Sequence, residues 1–149
     1  MSAGLRAIIG RHARLCCHES GMPALYLLEP DIHLTKTSLE GIDPMKEVGI
    51  DPFWGFVWPG SYAIHRYLLD NPALPHKCVV DFGSGCGLSA ITAKQQGARH
   101  VVANDICEMA ISAIQMNAEK NNVEVKLSSS NLIGREMDGT HLVLCGGES

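Results

Sequence analysis

No stretch of this chain approaches the ~18–20 consecutive apolar residues that a bilayer-crossing helix requires, so the sequence excludes a transmembrane helix. A basic surplus is missing too. Twelve Lys and Arg stand against sixteen Asp and Glu, for a formal charge of −4 and a pI near 5.9. Binding to a phosphate backbone draws on an excess of Lys and Arg, so nucleic acid is excluded as an electrostatic partner. There are six cysteines but no C-x-x-C pair. Cys16 and Cys17 are adjacent, Cys78, Cys86, Cys107 and Cys145 are scattered, and the seven histidines add no close-spaced ligands. Zinc sites gather their ligands at short spacings, so no metal site is expected and the cysteines read as reduced thiols in a core. Repeats and low-complexity segments are also absent.

What is present suits one globular domain. The length is 149 residues, with 46% hydrophobic and 19% charged residues, which is ordinary for a packed core and argues against disorder. Residues 1–20 carry Arg6, Arg11 and Arg14 and no acid before Glu19, with Leu5, Ile8, Ile9, Leu15 and Cys16 on one helical face. Mitochondrial presequences use that basic amphipathic pattern. Polar residues interrupt every short apolar run, which denies it the character of a secretory signal. A solvated helix or a disordered tail fits the same residues, and both readings stand. The first divides the chain into an address, 1–20, and a domain, 21–149, placed in the mitochondrial matrix with the cytoplasm as the alternative.

From 21 to 50 the signals are weak, because Pro23, Pro30, Pro44, Gly41 and Gly49 break any long element. Residues 24–28 suit an edge strand or hairpin. The segment 51–60, DPFWGFVWPG, holds both tryptophans and two of the three phenylalanines. A helix is predicted over 61–70 from Tyr62, Ile64, Tyr67 and Leu68, stopped by Asn71-Pro72. Strand and helix then alternate: a strand over 78–82, a helix from 88 to 96, and a strand over 100–103. Next comes a helix with apolar Ile106, Met109, Ala110, Ala113 and Ile114, then strands over 123–127 and 141–145. Repeated β-α-β units imply a parallel sheet with right-handed crossovers.

The loop after the first of these strands carries the chemistry. Asp81 ends the strand, and Gly83, Ser84, Gly85, Cys86 and Gly87 follow. Glycines at such spacing let the chain turn sharply and a ligand approach its backbone. The run is G-x-G-x-G, with Leu88 where a dinucleotide fingerprint has its third glycine. An acid at Asp81 suits a ligand bearing an ammonium group and sits badly beside a pyrophosphate. Asp105 ends the next strand, 20 residues past Gly85, where a carboxylate can accept both hydroxyls of an adenosine ribose. Cys86 has no histidine partner in sequence that would make it a nucleophile.

Through DFGSGCG at 81–87 and AND at 103–105, the sequence resembles the class I, seven-stranded S-adenosylmethionine methyltransferases, a Rossmann-like α/β fold. A closer resemblance, carried by DPFWGFVWPG, RYLLDNP at 66–72, GSGCG and ANDI, is to the mitochondrial lysine methyltransferases of the electron transfer flavoprotein β subunit. The resemblance implies S-adenosyl-L-methionine as cofactor and that β subunit as protein substrate. It implies that Gly83 and Gly85, with Ser84 between them, pass under the methionine part of the cofactor. Asp81 would then stand near its amino group and Asp105 would hold the ribose. It places Trp58 over one side of the cofactor and Asn131 against the adenine. Trp58 and Trp54 also suit plain core packing, and Asn131 an ordinary loop cap.

The chain departs from that family after its fourth strand. The resemblance implies an acid-led motif there that shapes the lysine channel. Here 142–145 runs into Gly146-Gly147-Glu148-Ser149, and the displaced Glu148 does not replace the missing acid. The expectation is therefore an incomplete parallel sheet of about four strands with an unpaired edge, a C-terminally truncated member in which no catalytic residue can be named. Two other readings remain. One is a truncated form that holds cofactor or protein partner without methyl transfer. The other, a nucleotide-dependent oxidoreductase, is opposed by the G-x-G-x-G spacing and Asp81.

Overall fold

A computed structural model describes residues 3–17, 21–28, 52–72, 74 and 77–146. The weakly patterned stretch through 29–51, Asp51 included, and Glu148 in the tail lie outside the described residues. The elements run in chain order as α1 (Ala3–His12), β1 (Arg14–Cys16), β2 (Leu25–Leu27), a 3-10 turn (Phe53–Gly55), α2 (Pro59–Asp70), β3 (Cys78–Phe82), α3 (Leu88–Gln95), β4 (His100–Asn104), α4 (Glu108–Lys120), β5 (Lys126–Ser128) and β6 (Leu142–Cys145). β1 and β2 form an antiparallel pair. The other four make a parallel sheet in the order β5-β4-β3-β6. The chain steps outward from β3 through β4 to β5 and then returns to the far side of β3. Between β3 and β6 lies the switch point where open α/β sheets bind ligands.

Side chains that share a register position in neighbouring parallel strands share a face. Val79 and Asp81, Val101 and Ala103, and Leu144 therefore look the same way, and all are buried. Leu68 of α2, Ala90 and Ala93 of α3 and Ile114 of α4 pack on them. Val80, Val102 and Val143 face the other way, and there Val143 is 46% exposed. A second cluster joins Ile9 and Ala13 to Leu28, Trp54, Phe56, Met109 and Ala113. A third joins Leu25 and Leu27 to Cys86, Leu88 and Ile91. No helix among the described residues is long and apolar enough to cross a membrane.

The predicted elements are present with shifted ends. α2 starts at Pro59, two residues before the predicted helix, because proline at a first helical position has no N–H to leave unbonded. The strand predicted over 100–103 runs one residue further, through Asn104. The strand predicted over 123–127 is Lys126–Ser128. The Val123 amide still donates to Ala118 O of α4 at 3.1 Å, so pairing with β4 begins only at Lys126. Ile106 does not belong to the helical stripe. Asp105 Oδ1 accepts from the Cys107 amide at 2.9 Å, the helix begins at Glu108, and Ile106 is left 75% exposed.

Only the first part of the amphipathic face read in residues 1–20 has a partner: the helix ends at His12, and Leu15 and Cys16 lie in β1, where Leu15 is exposed. Ile9 is fully buried among side chains of α4 and the 3-10 turn, and Arg6 forms a two-point ion pair with Glu119 of α4. Arg14–Cys16 pairs with Leu25–Leu27 and makes the hairpin expected near 24–28.

Candidate functional site

β3 ends in Asp81, and the chain turns through Gly83 (φ 66°), Gly85 (φ 55°) and Gly87 (φ 85°) before α3. L side chains are strained at such angles, which is why glycine stands there. At Gly87 a Cβ would also lie 3.2 Å from Ile114 of α4, so this glycine lets the helix approach the loop. Above Gly83 and Gly85 the case is opposite, for a Cβ there would meet nothing within 4 Å. Space therefore opens over the backbone of the loop at the switch point.

Two carboxylates set the loop. Asp81 is 2% exposed, and its Oδ2 accepts from the Ser84 hydroxyl and, at 3.1 Å, from the Ala90 amide. Burial pushes its carboxyl up to about 7, with Asp105 adding to the rise and the Ser84 and Ala90 bonds opposing it. Asp105 is half-buried at the tip of β4. Its Oδ2 accepts from the Gly85 amide at 2.9 Å, and its own amide donates to Ser128 O at 3.0 Å. Each Asp105 oxygen holds one amide and retains a lone pair for another donor.

In the sequence Asn104 stands within the AND motif with no role of its own. It is 2% exposed, its carbonyl accepts from the Ser84 amide at 2.9 Å, and its Nδ2 donates to Ser128 O at 3.0 Å and Ser130 O at 2.9 Å. A polar residue closing the β-branched run HVVAN was the available signal.

The structure thus ties Asp81, Ser84, Gly85 and Asp105 into one bonded group with Gly83 beside it. Trp58 and Asn131 lie outside that group. Trp58 Nε1 donates to Phe53 O at 3.0 Å, and its ring meets Phe53 and Phe56 edge-on. Trp58 and Cys107, the latter two residues past Asp105, each pack at the margin of the second cluster. Trp54 is a buried core aromatic whose Nε1 has no hydrogen-bond partner among the described residues. Asn131 is exposed, and its Oδ1 accepts from the Ile133 amide at 3.0 Å in a local turn. Cys86 is buried at 2% and its thiol is pushed up to about 11, mainly by burial, so it stays a thiol at neutral pH. Among the described residues no group of His, Cys, Asp and Glu could hold a metal ion.

The arrangement suits a ligand with an adenosine-like diol at Asp105 and a compact zwitterionic arm over Gly83 and Gly85. A protein from Danio rerio named electron transfer flavoprotein beta subunit lysine methyltransferase is 48% identical over 98 residues, covering 64% of this chain and 38% of that protein. Its namesake from Homo sapiens is 45% identical over 98 residues, with 64% and 37% covered. The chain thus spans less than two fifths of the length of these curated relatives. Among solved structures, magnesium protoporphyrin IX methyltransferase from Synechocystis with bound SAH shares the fold at a TM-score of 0.50. It is 24% identical and covers 57% of this chain and 39% of its own. The family described as ribosomal protein L11 methyltransferase (PrmA) matches residues 65–145, more than half of the chain. With the parallel sheet, the glycine loop and the acid that follows β4 all inside that span, the chain belongs to this family of methyltransferases.

Proposed function

We propose that the chain carries the S-adenosylmethionine-holding part of a protein-lysine N-methyltransferase acting on the electron transfer flavoprotein β subunit in the mitochondrial matrix. The observation that supports it most is the Asp105 carboxylate on the Gly85 amide, beside a loop with free space above Gly83 and Gly85. That space and that donor set fit the cofactor. The names of the two vertebrate relatives support the substrate.

In this reading Asp105 accepts the ribose hydroxyls while keeping the Gly85 and Cys107 amides. Gly83 and Gly85 lie under the methionine arm. Asp81, being buried, acts on the ammonium group through the Ser84 hydroxyl. The exposed Ile106 offers the base an apolar surface next to Asp105, with Trp58 covering one side and Asn131 toward the adenine edge. Bound S-adenosylmethionine supplies a sulfonium methyl group for displacement by a lysine amine. The amine must arrive without its proton, although its ordinary pKa is ~10.4. An apolar channel favours the neutral form, and fixed alignment supplies much of the rest. No residue of this chain is assigned to deprotonate the lysine. Residues 1–20 serve as the mitochondrial address, and 21–149 as the partial methyltransferase domain.

The test incubates the full chain with the purified flavoprotein β subunit and S-adenosylmethionine labelled in the methyl group. Label on β-subunit lysines is expected. Saturable binding of S-adenosylhomocysteine without any label would overturn the substrate reading, and no binding by folded protein would overturn the cofactor reading as well.

A further inference from the structure

Asn117 lies in α4 on the stripe that otherwise holds Met109, Ala110, Ala113, Ile114 and Ala118, and it is fully buried. Asparagine is a poorer helix former than alanine, and a buried amide without partners is costly. This amide has partners on both sides. Nδ2 donates to the Cys86 carbonyl at 2.8 Å, and Oδ1 accepts from the Tyr26 amide at 2.6 Å. The orientation is forced, because a carbonyl can only accept and a backbone amide can only donate.

The two partners belong to different parts of the molecule. Cys86 sits in the glycine loop between Gly85 and Gly87, both at positive φ, where the backbone has much freedom to lose. Its neighbour Gly85 gives its amide to Asp105. Tyr26 is the middle residue of β2, opposite Leu15 of β1. One turn along α4, Asn121 clasps the hairpin again: Oδ1 accepts from the Ala24 amide at 2.9 Å, and Nδ2 donates to Ala24 O at 2.7 Å. Glu119 between them holds Arg6 of α1. The N-terminal segment is thus bonded along α4, and at Asn117 that bonding passes directly into the loop.

We infer that Asn117 is a positioning residue for the cofactor loop and couples it to the β1–β2 hairpin, so that the N-terminal segment takes part in holding the cofactor. This rests on the cofactor reading above.

The test uses the full chain with two variants, Asn117→Asp and Asn121→Ala. S-adenosylhomocysteine affinity is measured by calorimetry, and hydrogen exchange is followed at the Gly85, Gly87 and Tyr26 amides. Asn117→Asp keeps an acceptor for Tyr26 but sets an oxygen against the Cys86 carbonyl. It is expected to weaken binding about tenfold and to speed exchange at Gly85 and Gly87 while Tyr26 stays protected. Asn121→Ala, which removes the two bonds to Ala24 and the one from Nδ2 to the Asn117 carbonyl but leaves the Cys86 bond in place, is expected to weaken binding about two- to threefold and to speed exchange at Tyr26 first. A purely structural role would lower the melting temperature and leave affinity and loop exchange unchanged in folded protein, which overturns the inference. If Asn117→Asp does not fold, wild-type affinity and loop exchange in Asn121→Ala overturn it. If the wild type itself binds no S-adenosylhomocysteine, the cofactor reading falls and the exchange rates alone decide the coupling.

Discussion

The two faces of the parallel sheet are built from the same kind of sequence and meet different surroundings. CVVDF, HVVAN and LVLC are apolar at nearly every position, the pattern of strands covered on both sides. On one face Val79, Val101, Ala103 and Leu144 lie under α2, α3 and α4. On the other, Val80, Val102, His100 and Lys126 line an open depression of about 820 Å³ with Asp138 and Thr140. The proposed cofactor site is not in that depression. It sits at the C-terminal ends of the strands, where Asp81 points into the helix-covered side and the glycine loop turns over the top. Covering one face is enough to fix the loop and its acids, because the bonds that set them come from within the loop and from β4, β5, α3, α4 and the turn before α4.

That comparison can be broken most severely on the covered face. Leu68→Ala removes a side chain 1% exposed between α2 and the sheet and is expected to cost ~2–5 kcal/mol in urea denaturation. A cost below ~1 kcal/mol would mean that this face is not the core.

The pH dependence of Asp81 is the next largest effect. Its folded carboxyl is raised to about 7 from 3.8, so between about pH 4 and pH 7 the folded chain holds a proton that the unfolded chain has lost. Stability is full below that window and falls as pH rises through it, by roughly 4 kcal/mol over the whole window and about 3 of that above pH 5. Urea midpoints at pH 5 and pH 8 should show the fall, and Asp81→Asn should abolish it. A wild type equally stable at both would refute the buried placement.

Gly60→Ala sharpens the link between α2 and β6. A Cβ at Gly60 would stand 2.2 Å from the Gly146 carbonyl oxygen, a backbone atom that cannot swing away. The expected loss is ~1–3 kcal/mol, read as a lower melting temperature. The smallest effect belongs to the open face. Val143→Ser is expected to stay within about 0.5 kcal/mol of wild type, and a loss above ~2 kcal/mol would show that this face is covered in solution.

The sheet, its three covering helices and the loop were legible because each rests on a strong local signal: β-branched runs, a 3.6-residue stripe, and glycines after an acid. The hairpin was only half legible. β1 is three residues, and its strand character comes from its pairing with Leu25–Leu27 and from nothing in Arg14–Cys16 itself. The end of the helical stripe at Ile106 was misplaced because the Asp105 side chain, by capping Cys107, competes with a helical start there. The acids of the site could be named from spacing, but their partners could not. That Asp81 faces Ser84, that Asp105 faces Gly85, and that Asn104 and Asn117 bind backbone groups from distant segments are facts of tertiary contact.

The central claim is that the loop and Asp105 together form a cofactor site. Calorimetric titration of the folded chain with S-adenosylhomocysteine tests it most directly, with Asp105→Ala in parallel. The account predicts saturable one-to-one binding that Asp105→Ala weakens at least about tenfold, as expected for loss of hydrogen bonds to a charged acceptor. Folded wild-type protein that takes up no ligand, or an Asp105→Ala chain that binds as the wild type does, would contradict it.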